Sequence, residues 1–493
     1  MACEEYFANS IRNRISTQFL KMDQTRPTNN TPSLTSELII SLLVIVAFYF
    51  WFITHGTFSI IGSEDWITLS TAYDSLAKSF LHSSAQIDPE TISWEAFHVN
   101  GKTVMYFGPF PALLRLFCYI FDAELSGQLA RLSCFTAAVL TFFAIGLILR
   151  LKIVSNDGLS SVSKRMLFVV SILGIAFSTP LFLLGSMVAI YHEAMWWGIC
   201  GSLWCIYLTF RIQSSDDTPC RLTLLGLLTG LTLLSRATFA IPLFLVFGFY
   251  FVKCVFKDRS WGLAFASIPL LLAITFQLWY NFARFDSPLE FAPWQHYERE
   301  TSERSQNSTF NPRRIVYSLK YYTLPSDSNL KDSFPWIQPR QVSFDVEGLF
   351  STDDSEYLMP LFIIAPWFII CGMIGVFRCV SKRDKPTILL LLAFSIQVIF
   401  ILSYYFVTQR YIVEFLPFLF IAYCGFLSSV NLGRASLIKV GILALVIFSS
   451  SAVNVLTTFD WCSNQWGVPE QFRTSLKLIS SSFDKQQDPY LAQ

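Results

Sequence analysis

Residues 222–252 read LTLLGLLTGLTLLSRATFAIPLFLVFGFYFV, an apolar run interrupted by one cation, Arg236. As a single helix it would extend about 46 Å, too long for one crossing of a hydrocarbon core about 30 Å thick and too short for two full ones. The basic residues around it decide the reading. If the run folds into a short hairpin turning at Ser235-Arg236, the connections holding Arg150, Lys152, Lys164 and Arg165, then Arg211 and Arg221, then Lys253, Lys257 and Arg259, then Arg378, Lys382, Arg383 and Lys385, and finally Arg434 and Lys439 all fall on one side, with Arg12, Arg14, Lys21 and Arg26 of the amino-terminal segment. Lys and Arg concentrate in short cytoplasmic connections. A single crossing would reverse everything after Val252, so the run is read as two arms.

The rest of the chain follows from that choice. With 53% hydrophobic, 16% aromatic and only 14% charged residues over 493 positions, the composition is that of a lipid-embedded protein. Apolar stretches of spanning length lie at about 38–54, 129–150, 167–186, 188–210, 261–281, 358–377, 386–406, 411–430 and 437–457. With the two arms, the expected fold is an all-α polytopic membrane protein of about eleven transmembrane helices, amino terminus cytoplasmic and carboxyl terminus not. It divides into a cytoplasmic segment 1–37, a transmembrane domain 38–457 with large outer loops at about 55–128 and 282–357, and a short non-cytoplasmic tail 458–493. The formal net charge of +1 and the scattered basic groups exclude a nucleic-acid-binding surface. Most of the 11 cysteines lie in apolar stretches without metal-ligand spacing, so no metal or other cofactor is expected.

Each arm of the hairpin covers about 23 Å, which places Arg236 below the outer surface, in a wet or anion-filled cavity. Snorkelling to the headgroups is the alternative. Gly226 and Gly230 make a small-xxx-small face for close packing. In the first outer loop, 66–82 (WITLSTAYDSLAKSFLH) has the spacing of a helix lying in the interface, and PFPALLRLFCYIF at 109–121 is a second, half-inserted one. The loop 282–357 can act as a lid or as a solvated connector.

Ionisable residues at membrane depth are costly and mark functional sites. Tyr191-His192-Glu193, Ser235-Arg236 and Gln409-Arg410-Tyr411 all reach the outer side in this topology, as does the acidic pair Glu64-Asp65. A set of stretches in this order, YDSLAKSFL at 73–81, NGKTVMYFGPFPALL at 100–114, YHEAMWWG at 191–198, SRATFAIP at 235–242, YNFARFDSPLEF at 280–291 and QRYIVEFLPFL at 409–419, resembles the GT-C superfamily of membrane glycosyltransferases, above all protein O-mannosyltransferases and lipid A aminoarabinose transferases. The resemblance implies an enzyme that moves a sugar, with inversion, from a polyprenyl-phosphate carrier to an acceptor hydroxyl on a glycan, lipid or protein at the outer leaflet. It implies Asp65 as general base with Glu64 beside it, and Asp74 as a rival because the gap between the acidic pair and Tyr73 is longer than the family's. Asp65 is equally suited to N-cap the helix after it. Arg236, Arg410, His192 and Tyr411 are the expected donor-phosphate ligands, with Glu193 and Asp74 as acceptor-site or supporting residues. The charged or acidic group that the family places before its Pro-rich helix is here Tyr106-Phe107-Gly108. A transporter or flippase of lipid-linked saccharides is the alternative, but no paired halves with broken helices are visible. The expected location is a plasma or inner membrane, or the endoplasmic reticulum in a eukaryote, where Asn307-Ser308-Thr309 would be a glycosylation sequon.

Overall fold

The computed structural model describes residues 33–62, 69–121, 125, 127–212, 218–257, 261–298, 309–332, 336–341, 349–350, 357–430, 436–464 and 467–485. The chain is a bundle of helices: α1 (Thr35–Ile53), α2 (Ala72–Leu81), α3 (Phe110–Phe121), α4 (Ala130–Val154), α5 (Ser161–Phe177), α6 (Ile190–Ile212), α7 (Thr218–Ser235), α8 (Ala237–Val252), α9 (Ile268–Phe285), α10 (Arg314–Thr323), α11 (Pro366–Lys382), α12 (Lys385–Ser403), α13 (Leu416–Leu427), α14 (Ser436–Cys462) and α15 (Glu470–Lys485). Eight helical stretches among the described residues are long and apolar enough to cross a membrane. Helices α5, α6 and α11 stand at the other three expected spans.

The run that decides the topology is indeed two helices. α7 and α8 meet at Arg236, whose extended backbone (φ −154°, ψ 110°) belongs to neither. The arms are longer than expected: α7 begins four residues before the apolar run, at Thr218, and α8 continues through a π-helical turn to Lys257. Counting apolar residues alone missed these polar ends. Gly226 and Gly230 are the contact face: a Cβ on Gly230 would lie 2.5 Å from the Ala273 Cβ of α9, and one on Gly226 would lie 3.0 Å from the Ala266 carbonyl.

The expected inner ends are also brought together. The Asn156 amide after α4 donates to the carbonyls of Leu427 and Val430 at 2.7 and 2.9 Å, and Arg378 donates to Ser429 O at 3.0 Å. Lys152 lies 3.5 Å from the centroid of the Phe210 ring.

Other boundaries move for identifiable reasons. The span expected at 167–186 stops at Phe177, because Pro180 starts a separate turn of helix capped by Thr179 Oγ1. Asn454 of α14 donates to the carbonyls of Phe177 and Thr179 at 2.8 and 3.1 Å, closing the break. The span expected at 358–377 begins instead at Pro366. The helix expected over 66–82 starts only at Ala72, after Leu69 adopts a positive φ of 54°. One face of it, with Tyr73, Asp74, Leu76 and Ala77, is buried against the rest of the protein, while Leu81 is exposed. The first outer loop also carries a hairpin, β1 (Phe97–Val99) with β2 (Lys102–Val104), that turns on Asn100-Gly101 with φ of 50° and 76°. An Asn-Gly pair is the usual signal for such a turn. The short tail carries a helix, α15, whose Phe472 ring packs on Trp51 at 5.4 Å and on His55.

The closest helix pairing is α11 with α13. A Cβ on Gly375 would stand 1.9 Å from Ala422 O and 2.7 Å from Phe426 N, backbone atoms that cannot yield locally. Gly375→Ala should therefore cost about 1–3 kcal/mol or more in detergent stability. Gly441→Ala, with nothing within 4 Å, should be silent. Equal melting temperatures for the two variants would show that α11 and α13 do not approach this closely.

Candidate functional site

The three polar motifs converge. Ser235 Oγ donates to the Ala194 carbonyl on the first turn of α6 at 3.0 Å. The Arg410 guanidinium lies 4.3 Å from the Tyr191 ring centroid, and that of Arg236 lies 5.6 Å from the Tyr411 ring. Residues 190, 237 and 409 open helical segments, so each motif stands at a helix end, where side chains and backbone groups are not consumed by the helix.

Arg236 has a partner that the sequence reading passed over. Its Nε and Nη2 donate to Glu414 Oε1 at 2.8 and 2.7 Å, while Gln397 Nε2 donates to Glu414 Oε2 at 3.3 Å. The Glu414 side chain is 0% exposed and that of Arg236 16%. A carboxylate inside the apolar stretch 411–430 is as costly as the groups that were singled out, so the same rule applied evenly would have found it. Gln409 is spent on structure: its Oε1 accepts from Met359 N at 2.6 Å and pins the approach to α11. His192 is buried, and its Nδ1 has no hydrogen-bond partner among the described residues.

Glu193 pairs not with His192 but with Arg115 of α3, a second residue that sequence reading missed. Arg115 Nη1 and Nη2 hold the two Glu193 oxygens at 2.6 and 3.0 Å, and its Nε donates to Asp74 Oδ2 at 2.9 Å. Asp74 Oδ1 accepts from Gly127 N at 2.9 Å and from the Tyr119 hydroxyl. All three charged side chains are at most 3% exposed. Both Asp74 oxygens are occupied by these partners, and the side chain is buried. Glu64 and Asp65 lie outside the described residues. Their flanks are fixed: Gly62 N donates to Gln128 O at 3.3 Å, and Leu69 is buried.

Beside the convergence lies a cavity of about 430 Å³, floored by the hairpin tip and lined by Arg236, Tyr411, Tyr106, Gln277, Glu290 and Trp294 among others. One wall is the strand-like segment 105–108. Arg284 Nη1 clamps the carbonyls of Met105 and Phe107 at 2.7 and 3.2 Å, and the Tyr280 hydroxyl donates to Phe107 O at 3.3 Å. Gly108 then presses against the hairpin turn, where a Cβ would meet Leu234 O at 2.2 Å and Ser235 O at 2.6 Å. No charged side chain fits at that position. The opposite wall comes from the second outer loop through Glu290, Phe291, Trp294, Thr309 and Phe310, so part of that loop covers the cavity. It is tied to the first loop by Glu298 N donating to Ala96 O at 2.9 Å and by the packing of Phe97 on Tyr297 at 5.0 Å. Tyr191 donates to Glu95 Oε1 at 2.5 Å. Burial, with the Glu95 carboxylate adding to it, raises the Tyr106 phenol well above its usual pKa and keeps it a neutral hydrogen-bonding group. Among the described residues, no three His, Cys, Asp or Glu side chains gather into a metal-binding group.

No family model matches the sequence, and no curated protein matches it. Solved structures do. The apo crystal structure of the oligosaccharyltransferase from Archaeoglobus fulgidus aligns with a TM-score of 0.50 at 14% identity, over 92% of this chain and 59% of that one. The same enzyme tethered by a disulfide to an acceptor peptide containing the NVT sequon gives 0.44 at 14% identity, over 93% and 59%. The form in complex with an inhibitory peptide and a dolichol-phosphate gives 0.43 at 12%, over 91% and 59%. The chain thus spans about three fifths of the length of that enzyme, and the likeness is one of fold. The chain shares the fold of this oligosaccharyltransferase.

Proposed function

We propose that the chain is a membrane glycosyltransferase that takes a sugar from a polyprenyl-phosphate-linked donor and passes it, with inversion, to an acceptor hydroxyl at the non-cytoplasmic face. The observation that carries this reading is that Arg236 and Tyr411 line a cavity walled by both outer loops, with the Arg410 guanidinium set against the Tyr191 and Tyr411 rings beside them. In a glycosyl transfer the departing phosphate holds the negative charge that develops, and fixed cations in a site shielded from water stabilise it. A guanidinium has five N–H donors. Arg236 uses two on Glu414, an anchor that stops it from folding toward the headgroups and leaves further donors for a phosphate. Arg410, held over Tyr191, supplies the second cation.

The base in this reading is Asp65. It takes the proton of the acceptor hydroxyl as that oxygen attacks the anomeric carbon. Asp74 serves instead as the counterion that, with Glu193, keeps Arg115 in place. The non-cytoplasmic orientation rests on the basic ends gathered at Asn156, Arg378 and Lys152.

Two expected outcomes follow for the carboxylates. Asp65→Asn retains size and capping ability but cannot accept a proton, so turnover should fall about 10²- to 10⁴-fold with donor affinity and melting temperature nearly unchanged. Asp74→Asn breaks a buried ion pair and should destabilise the fold by about 3–5 kcal/mol, read as a lowered melting temperature before any assay of chemistry. A stable Asp74→Asn protein without activity, alongside an active Asp65→Asn, would move the base to Asp74.

For the phosphate ligands, Arg236→Gln and Arg410→Gln should each raise the donor dissociation constant about ten- to a hundredfold, as expected for a charge-assisted contact of about 1.5–3 kcal/mol. Equilibrium binding of a polyprenyl phosphate in nanodiscs measures this. Wild-type affinity in both folded variants would reassign the arginines to anchoring in the lipid headgroups.

A further inference from the structure

Two residues that line the cavity, Gln277 and Thr238, carry buried side-chain oxygens with no hydrogen-bond partner among the described residues. Asn281 Oδ1 accepts from Arg284 Nη2 at 2.6 Å, and because a guanidinium only donates, the orientation of that amide is fixed. Its other end agrees, with Asn281 Nδ2 donating to Pro288 O at 3.0 Å. Gln277 touches the same Asn281 Oδ1 at 2.7 Å and must therefore present its Nε2 there. Its Oε1 is left over. Gln277 is 4% exposed and lines the cavity, and this Oε1 has no hydrogen-bond partner among the described residues. Thr238 at the tip of α8 also lines the cavity, and its Oγ1 is likewise buried and unpartnered. Buried polar atoms without partners are rare and call for an explanation such as a ligand or an ordered water.

The remaining lining narrows the choice of ligand. Tyr106 and Trp294, with ring centroids 5.8 Å apart, supply aromatic surface. Glu290 supplies a carboxylate, whose Oε1 accepts from Ala292 N of its own loop at 3.2 Å. Arg236 is the cation on the wall, and the donors it does not give to Glu414 are those assigned above to the carrier phosphate. An amide oxygen, a hydroxyl and a carboxylate set beside aromatic rings suit a ring that carries many hydroxyl donors and no negative charge of its own. The volume of about 430 Å³ is that of a small-molecule site.

We propose that this cavity seats the transferred sugar, that the sugar is a neutral polyhydroxylated ring and not a uronic acid, and that Gln277, Thr238 and Glu290 read its hydroxyls. The proposal rests on the lipid-linked transferase reading and adds to it the seat and the charge class of the sugar. The carrier phosphate then lies toward Arg236 and the ring toward Gln277 and Trp294.

The test measures equilibrium binding of farnesyl phosphate and of farnesyl-phosphoryl hexoses with gluco, galacto and manno heads to the full chain in nanodiscs, with octyl glucoside as a probe lacking phosphate. At least one hexose head should tighten binding over farnesyl phosphate alone. Gln277→Met and Thr238→Val should each reduce that increment about three- to tenfold while leaving farnesyl phosphate affinity unchanged. Because Gln277→Met also loses its contact with Asn281, Glu290→Gln gives a readout that packing does not produce: tighter binding of a glucuronosyl head, which wild type should bind more weakly than the neutral heads. The seat is refuted if the hexose increment survives both oxygen-removing variants, if farnesyl phosphate and its hexose forms weaken equally, or if Glu290→Gln leaves the glucuronosyl probe unchanged. If farnesyl phosphate never binds yet octyl glucoside binding depends on Gln277, the seat stands and the lipid-phosphate reading falls.

Discussion

A guanidinium with 2% of its side chain exposed sits between two carboxylates at the junction of the first outer loop and the bundle: Arg115 between Asp74 and Glu193. An isolated buried charge would cost several kcal/mol, so none of the three can remain where it is without the others. The triad joins α2, α3 and the first turn of α6 into one unit. Two parts of the site take their position from that unit: Tyr191 and His192 precede Glu193 on α6, and the segment 105–108 leads directly into α3. The exposed Phe117 and Phe121 lie on the apolar side of the same helix, away from its charged residue. This short helix thereby has one apolar exposed face and one ionic anchor.

The hairpin tip is the second fixed surface. Gly108 can rest on Leu234 and Ser235 only because it lacks a Cβ, and Ser235 in turn bonds to α6. Arg236 is thus held between the first outer loop and the α13 entry, where Glu414 meets it. The same few contacts explain why the Tyr-Phe-Gly segment replaces a charged residue at this place: backbone approach, not charge, is what the position supplies.

The hairpin and the order of long apolar helices were legible because they depend on sums over many residues. The basic connections resolved the 222–252 run without any single residue being decisive, and Gly226 with Gly230 marked the face that meets α9. The meeting of the three polar motifs was legible for the same reason, since it needs only the side of the membrane. What stayed hidden were pairings between groups far apart in the chain. Arg115 looked like one polar residue in a short apolar helix, and Glu414 like a passenger in an apolar span, until Asp74 and Arg236 stood beside them. Asp74 was a rival base because the gap between the acidic pair and Tyr73 departs from that of the resembling family; its partners Tyr119, Gly127 and Arg115 lie far off in the chain and were not visible in the sequence. Element ends were missed where a left-handed residue or a proline overrode the apolar pattern, as at Leu69 and Pro180.

The central claim is that the convergence of Arg236, Arg410 and Tyr411 serves a lipid-linked sugar. Mass spectrometry of lipids that copurify with the protein from its native membrane tests it most directly. The account predicts a polyprenyl phosphate, bare or carrying one neutral sugar, enriched over bulk membrane lipid. A preparation that retains only bulk phospholipid, from membranes shown to contain polyprenyl-phosphate sugars, would contradict it.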